Sequence, residues 1–157
     1  MGEFLKEGQK GKAENTANSN RSPLQGAALR HRVDAVEYLL SLGADVSQLS
    51  GKTGYALHAA SCDESPNGLA IMKMLIEHGA DPNSRGGEYG TALQAAATHG
   101  CLQNVKFLLA AGADPTIEGG KYGSPLNAAT AGKKKYYHVA NFLRRYTAKM
   151  LDSRDLI

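Results

Sequence analysis

Apolar residues in this chain come in short bursts at helical spacing. Val36, Leu39 and Leu40 form one burst, and Val105, Leu108 and Leu109 another, each at i, i+3, i+4. That period predicts helices with one buried stripe. A second pattern, one leucine followed by small residues, recurs as "PLQGAA" from Pro23, "ALHAAS" from Ala56, "ALQAAA" from Ala92 and "PLNAAT" from Pro125. These segments predict shorter helices that turn Leu24, Leu57, Leu93 and Leu126 inward. Polar punctuation agrees. Ser22-Pro23 and Ser124-Pro125 read as helix starts: the hydroxyl accepts an orphan N–H, and proline lacks only an N–H that is not needed there. Gly43, Gly79 and Gly112 read as helix ends, where a left-handed cap suits glycine. Asp45, Asp81 and Asp114 stand just beyond and can bond turn amides.

The pattern is periodic. Its starting points fall at Ser22, Tyr55, Thr91 and Ser124. The first and third intervals are equal, and the second is longer by three. From each Gly-Ala-Asp glycine to the next start the interval never changes: Gly43 to Tyr55, Gly79 to Thr91, Gly112 to Ser124. The three extra residues of the second unit therefore lie in "SCDESPNGLA" and predict a longer, exposed loop over 62–69. The stretch "GGEYGTALQAAATHG" (Gly86 to Gly100) returns as "GGKYGSPLNAATAG" (Gly119 to Gly132). Its glycines suit a tight, β-hairpin-like turn. A phosphate-binding loop is the alternative, but the stretch lacks the Gly-Lys-Ser/Thr ending and no strand pattern precedes it. A recurring interval of this size predicts a solenoid: no unit buries its own apolar face, so stacking must do it.

These residues resemble the ankyrin repeat. The family pattern T-P-L-H-x-A is met by "SPLQGA", "YALHAA", "TALQAA" and "SPLNAA", and the resemblance extends over residues 22–146. The turn form "GGEYG"/"GGKYG" looks like one common in filamentous fungi. The resemblance implies an all-α ankyrin-repeat solenoid of about four helix–turn–helix units joined by β-hairpin-like turns. Its expected divisions are a leader over 1–21, repeats over 22–54, 55–90 and 91–123, and a C-terminal capping repeat with a basic tail over 124–157. In place of a fourth Gly-Ala-Asp, "VANFLRRYTAKM" continues as one basic amphipathic helix. At the other end, "MGEF" reads as a cloning scar or as natural leader. "FLKEGQ" (Phe4 to Gln9) reads either as part of a tag with a disordered leader or as the tail of a preceding outer helix, placed two positions too far before Ser22 for an unbroken period.

Composition narrows the chemistry. The net charge of +3 is uneven: residues 133–157 carry seven basic side chains against two acidic ones, and the rest of the chain is slightly negative. Only the C-terminal end can attract polyanions. There, "KKKYYH" (Lys133 to His138) could touch phosphates and stack Tyr136 and Tyr137 on bases, or be a solvated loop whose tyrosines pack on the last helix. Without a basic stripe on the other units, nucleic-acid binding is not expected. No apolar run is long enough to span a bilayer, and no secretory signal is visible. Cys62 and Cys101 form no Cys-x-x-Cys pair, which favours free thiols in a reducing cytosol or nucleus. Cys62 is expected near the end of an inner helix and Cys101 at the beginning of an inter-helix loop. His58 stands where the family's histidine bonds the turn backbone, with Gln25, Gln94 and Asn127 as its equivalents. His31, His78, His99 and His138 have no ligand spacing to either cysteine, so no metal is expected. No cofactor is expected, and no local group of side chains suits a nucleophile, so neither is enzyme activity.

What remains is surface recognition. The family binds proteins through turn tips and the exposed side of its first helices, which form a concave face. At matching positions here stand Lys52, Thr53, Glu88, Tyr89, Lys121 and Tyr122 on turns, and Arg30, Asp63, Thr98 and His99 on helices. The expectation is a monomeric interaction module within a larger intracellular protein, its partner a protein. Tyr89 and Tyr122 are either interface anchors or packing between adjacent turns. A spacer segment of a longer array is the alternative reading, and a small enzyme a more distant one.

Overall fold

The computed structural model describes residues 21–132 and 134–155. Among them eight helices follow one another: α1 Pro23–Leu29, α2 Val33–Ser41, α3 Ala56–Ala60, α4 Pro66–Glu77, α5 Ala92–Thr98, α6 Leu102–Ala110, α7 Pro125–Ala131 and α8 Tyr137–Asp155. They form four hairpin pairs. The inner members stack in chain order, α1 on α3, α3 on α5 and α5 on α7. Among the outer members, α2 packs on α4 and α6 on α8. Isolated antiparallel bridges at Ser50–Gly54, Gly86–Gly90 and Gly119–Gly123 close the turns between pairs. The result is the expected all-α solenoid.

Local sequence explains the ends of each helix. Ser22, Thr91 and Ser124 each accept the N–H of the residue three positions on, and Thr91 and Gln94 cap each other reciprocally. Tyr55 has no side chain that can reach back, and its helix α3 is the shortest, at five residues. Gly43, Gly79 and Gly112 follow the outer helices with φ of +81°, +92° and +99°. Asp45, Asp81 and Asp114 each accept the N–H two positions on, at 2.8 Å.

The core is one continuous cluster running the length of the stack. Leu24, Leu57 and Leu93 enter it from the inner helices, and Val36, Leu75, Leu108 and Leu143 from the outer ones. Each such side chain contributes roughly 1.5–3 kcal/mol by burial. Ala28, Ala60 and Ala96, all fully buried, set how closely the inner helices approach.

The expected long loop over 62–69 is not what forms. Helix α4 begins at Pro66 and has 12 residues where α2 and α6 have nine, so much of the insertion is taken up as helix. The physical reason is a strong start signal: Ser65 accepts the Gly68 N–H at 3.0 Å, and Pro66 occupies the first turn. Gly68 is needed there. A Cβ on it would lie 2.9 Å from the Asp63 carbonyl oxygen and 3.3 Å from that of Ala60. Gly68→Ala is therefore expected to lower the unfolding free energy by about 1–2 kcal/mol. A neutral result in urea denaturation would show that this backbone can give way.

At the C-terminal end α8 runs 19 residues and buries Val139, Ala140 and Leu143. The leader, with its expected helix tail at Phe4 to Gln9, lies outside the described residues.

Candidate interaction surface

The tips of successive turns are joined by backbone. The Glu88 N–H donates to the Lys52 carbonyl at 2.6 Å, and the Lys121 N–H donates to the Glu88 carbonyl at 2.8 Å. Such bonds require adjacent turns to touch, and glycine makes that possible. A Cβ on Gly87 would lie 2.6 Å from the Thr53 carbonyl oxygen, and one on Gly120 would overlap the Tyr89 carbonyl. Both glycines also hold positive φ, +69° and +64°. The recurring Gly-Gly thus serves the stacking of turns, with no need to invoke a phosphate. Lys52, Glu88 and Lys121 follow as a row of alternating charge on one edge. The Lys121 ammonium lies 3.5 Å from the Glu88 carboxylate and 5.4 Å from the centre of the Tyr122 ring. Both ends of that ion pair are well exposed, so it adds little stability.

Tyr89 turns back from its tip toward the end of α5. Its ring meets His99 edge-on with centroids 5.5 Å apart, and it lies close to Cys62, whose thiol donates to the His58 carbonyl at 3.3 Å. Burial, reinforced by the nearby Glu88 carboxylate, pushes the phenol up to about 12. Burial also pushes Cys62 up to about 12 and Cys101 up to about 11, so both thiols stay protonated and unreactive at neutral pH. Cys101 is buried at the start of α6; it ends the inter-helix loop instead of beginning it, because α6 follows at once from Leu102. Tyr122 is half-buried and packs on the core cluster. The structure thus brings together Glu88, Tyr89, His99, Lys121 and Tyr122, with both tyrosines partly engaged in packing.

The Gln/His position completes the frame. Gln25 Nε2 donates to the Ser50 and Gly54 carbonyls at 2.6 and 2.7 Å, and Gln94 Nε2 donates to the Gly119 carbonyl at 3.0 Å. His58, only 1% exposed, donates from Nε2 to the Ser84 carbonyl at 3.2 Å. These three inner helices therefore each hold the turn that follows their own pair. An ankyrin-repeat model matches residues 19–50, and a model of three ankyrin-repeat copies matches residues 47–119. The chain is an ankyrin-repeat protein. No curated protein matches it.

The remaining sequence-predicted residues occupy the ankyrin surface unevenly. Arg30 is exposed at the end of α1. Thr53 contributes its carbonyl to the crowded turn beneath Gly87. The Thr98 hydroxyl is spent on the Gln94 carbonyl at 2.7 Å. The Asp63 carboxylate lies 3.7 Å from His31 Nδ1. Asp63 and Glu64 are also held by the next ankyrin unit: Asn104 Nδ2 donates to the Asp63 carbonyl at 2.9 Å, and the Gln103 N–H donates to Glu64 Oε1 at 3.0 Å. These cross-unit partners, His31, Asn104 and Gln103, were not legible in the sequence, because each stands in a different repeat from the group it meets.

In "KKKYYH", Lys133 lies outside the described residues. Tyr136 packs its ring directly on Gly100, and Tyr137 is exposed, so the two tyrosines do not form a paired stacking platform. Among the described residues no group of His, Cys, Asp and Glu could hold a metal ion, and no helix is long and apolar enough to cross a membrane.

Proposed function

We propose that this chain is a protein-binding ankyrin module that grips one partner protein across its turn tips and the exposed ends of its inner helices. Ankyrin repeats are generally protein–protein interaction modules, and the coarse assignment follows from that. The observation that carries the finer reading is the backbone ladder through Lys52, Glu88 and Lys121. It holds three charged side chains in register on a rigid edge, beside the partly buried Tyr89 and the exposed His99. Rigid presentation lowers the ordering cost of binding, and tyrosine supplies contact area at small entropy cost. On this reading Arg30, Thr53, Asp63, Thr98 and Tyr122 flank the contact on a concave face. The module acts as a monomer within a larger intracellular protein of the cytoplasm or nucleus, and its turn form is of the kind expected in a filamentous fungus. The alternative is a spacer that only stacks.

The test begins with a partner captured from source cells by the immobilised chain, then purified and titrated. Combining Tyr89→Ala with Lys121→Glu should weaken binding by about 2 kcal/mol, the scale of an interface hot spot. The same double variant should lose only about 1 kcal/mol of folding stability, because both side chains remain partly in solvent. The spacer reading expects no partner whose affinity depends on these two residues. A large stability loss with unchanged affinity would show that Tyr89 serves packing alone.

A further inference from the structure

Within the stack, each pair of helices has two faces, and burial separates them cleanly. One face looks toward the following pair and is set by Leu24, Gln25, Ala28, Val36 and Leu40, all buried in the first pair. The other looks toward the preceding pair. In the second and third pairs that back face is carried by Ala59, Ala60, Ile71 and Leu75, and by Ala95, Ala96, Asn104 and Leu108. All have 0% or 1% of their surface exposed, because the preceding pair covers them. The same positions in the first pair are Gly26, Ala27, Ala35 and Leu39, small or apolar and without a charge. Here each is only half-buried. Beside them Tyr38 is 58% and Leu42 45% exposed. Tyr38 occupies the position of Phe107, which packs against the core in the third pair.

The opposite end of the solenoid is built differently. In α8, Arg144 stands where Leu40 and Leu109 stand in α2 and α6, at the eighth position of each helix. In α7, the exposed Asn127 stands where Gln25 and Gln94 are fully buried. That end carries charge and amide on its outward face, which is what a terminal unit requires. The four matching positions of the first pair carry neither, and the charge beside them is the Arg30 guanidinium, 4.0 Å from where a Cβ on Gly26 would lie.

We infer that the back face of the first pair is a stacking interface, and that its occupant is one more helix–turn–helix unit of the ankyrin kind, placed before it in the array. This goes beyond the partner-binding reading and stands independently of it, since it concerns the end of the stack and not the turn edge. The argument is continuity: the same positions, with the same small or apolar character at most of them, are covered by a preceding unit wherever one exists in this chain. A second copy of the chain and the leader residues 1–21 are the competing occupants.

The test uses the chain as it is, the chain without residues 1–21, and two chimaeras. In one chimaera a copy of residues 91–123 replaces 1–21, so that its forward face meets Gly26, Ala27, Ala35 and Leu39. In the other the same copy is joined after residue 155, where it meets Arg144 and Asn127. The N-terminal chimaera should melt at least about 5 °C higher than the chain. Amide exchange in α1 and α2 should slow at least about tenfold. The C-terminal chimaera should show neither change. Equal effects at both ends would overturn the inference, as would none at the N-terminal end. A full chain that already melts as high as the N-terminal chimaera, and several degrees above the chain without 1–21, would overturn it too, by assigning the face to the leader alone. So would a dimer in sedimentation that dissociates on Tyr38→Glu, which would assign the face to a second copy.

Discussion

Acidification from pH 7 to pH 4 should destabilise the protein through His58 by about 2–3 kcal/mol, and His58→Gln should remove that loss. His58 is buried between the second pair and the turn that follows it, and burial lowers its pKa from 6.5 to about 4. The nearby carbonyls of Ser84, Thr53 and Gly86 offset the burial only in part. The ring donates from Nε2 to Ser84, which leaves Nδ1 buried without a hydrogen bond. The folded state therefore holds the neutral ring, while the unfolded chain takes up a proton near pH 6.5. Stability from this residue is fully present above pH 6.5, declines at about 1.4 kcal/mol per pH unit below it, and levels off below about pH 4. Glutamine is the natural substitute, since Gln25 and Gln94 make the same inner-helix-to-turn bond without titrating. Urea denaturation of both proteins across pH 4–7 isolates the effect as a difference, which cancels the other histidines and the carboxylates. Parallel pH profiles for the two would refute the buried neutral histidine.

Gly120→Ala should cost about 3 kcal/mol, well above Gly43→Ala at about 1 kcal/mol. Both glycines have positive φ, +64° and +81°, so both substitutions carry the left-handed penalty of an L-residue. They differ in what the new methyl meets. At Gly43 no atom lies within 4 Å, whereas at Gly120 the methyl would overlap the Tyr89 carbonyl and crowd the Gly90 nitrogen. Relief requires the turns to part, which breaks the bond from the Lys121 N–H to the Glu88 carbonyl. The comparison separates the conformational cost of an alanine from the cost of prising two turns apart. Equal costs for the two variants would mean that the turns are held less closely than their hydrogen bonds imply.

Much of this architecture could be read along the chain. The spacing of Val36, Leu39 and Leu40 marked an outer helix, the two Ser-Pro starts marked inner ones, and Gly43, Gly79 and Gly112 marked the ends. The inner helix–turn bond at His58 was expected as well. The long loop over 62–69 was misjudged because three extra residues can enter either a loop or a helix. The choice was made by Ser65 and Pro66 as a start signal and by the space that Gly68 leaves for the Asp63 carbonyl.

The candidate surface was legible only as a set of positions. That Lys52, Glu88 and Lys121 share one edge follows from the repeat itself, since matching positions in a stack must line up. The engagement of Tyr89 with Cys62 and His99, and the tethering of Asp63 and Glu64 by Asn104 and Gln103, followed from nothing in the pattern. The sequence by itself determined the period, the helix ends and the residues that face inward, because these depend on interactions within a few positions of each other. Tertiary structure decided which surface side chains are free and which are spent on a neighbouring unit. Those contacts join residues of different repeats, and their geometry exists only once the units have stacked.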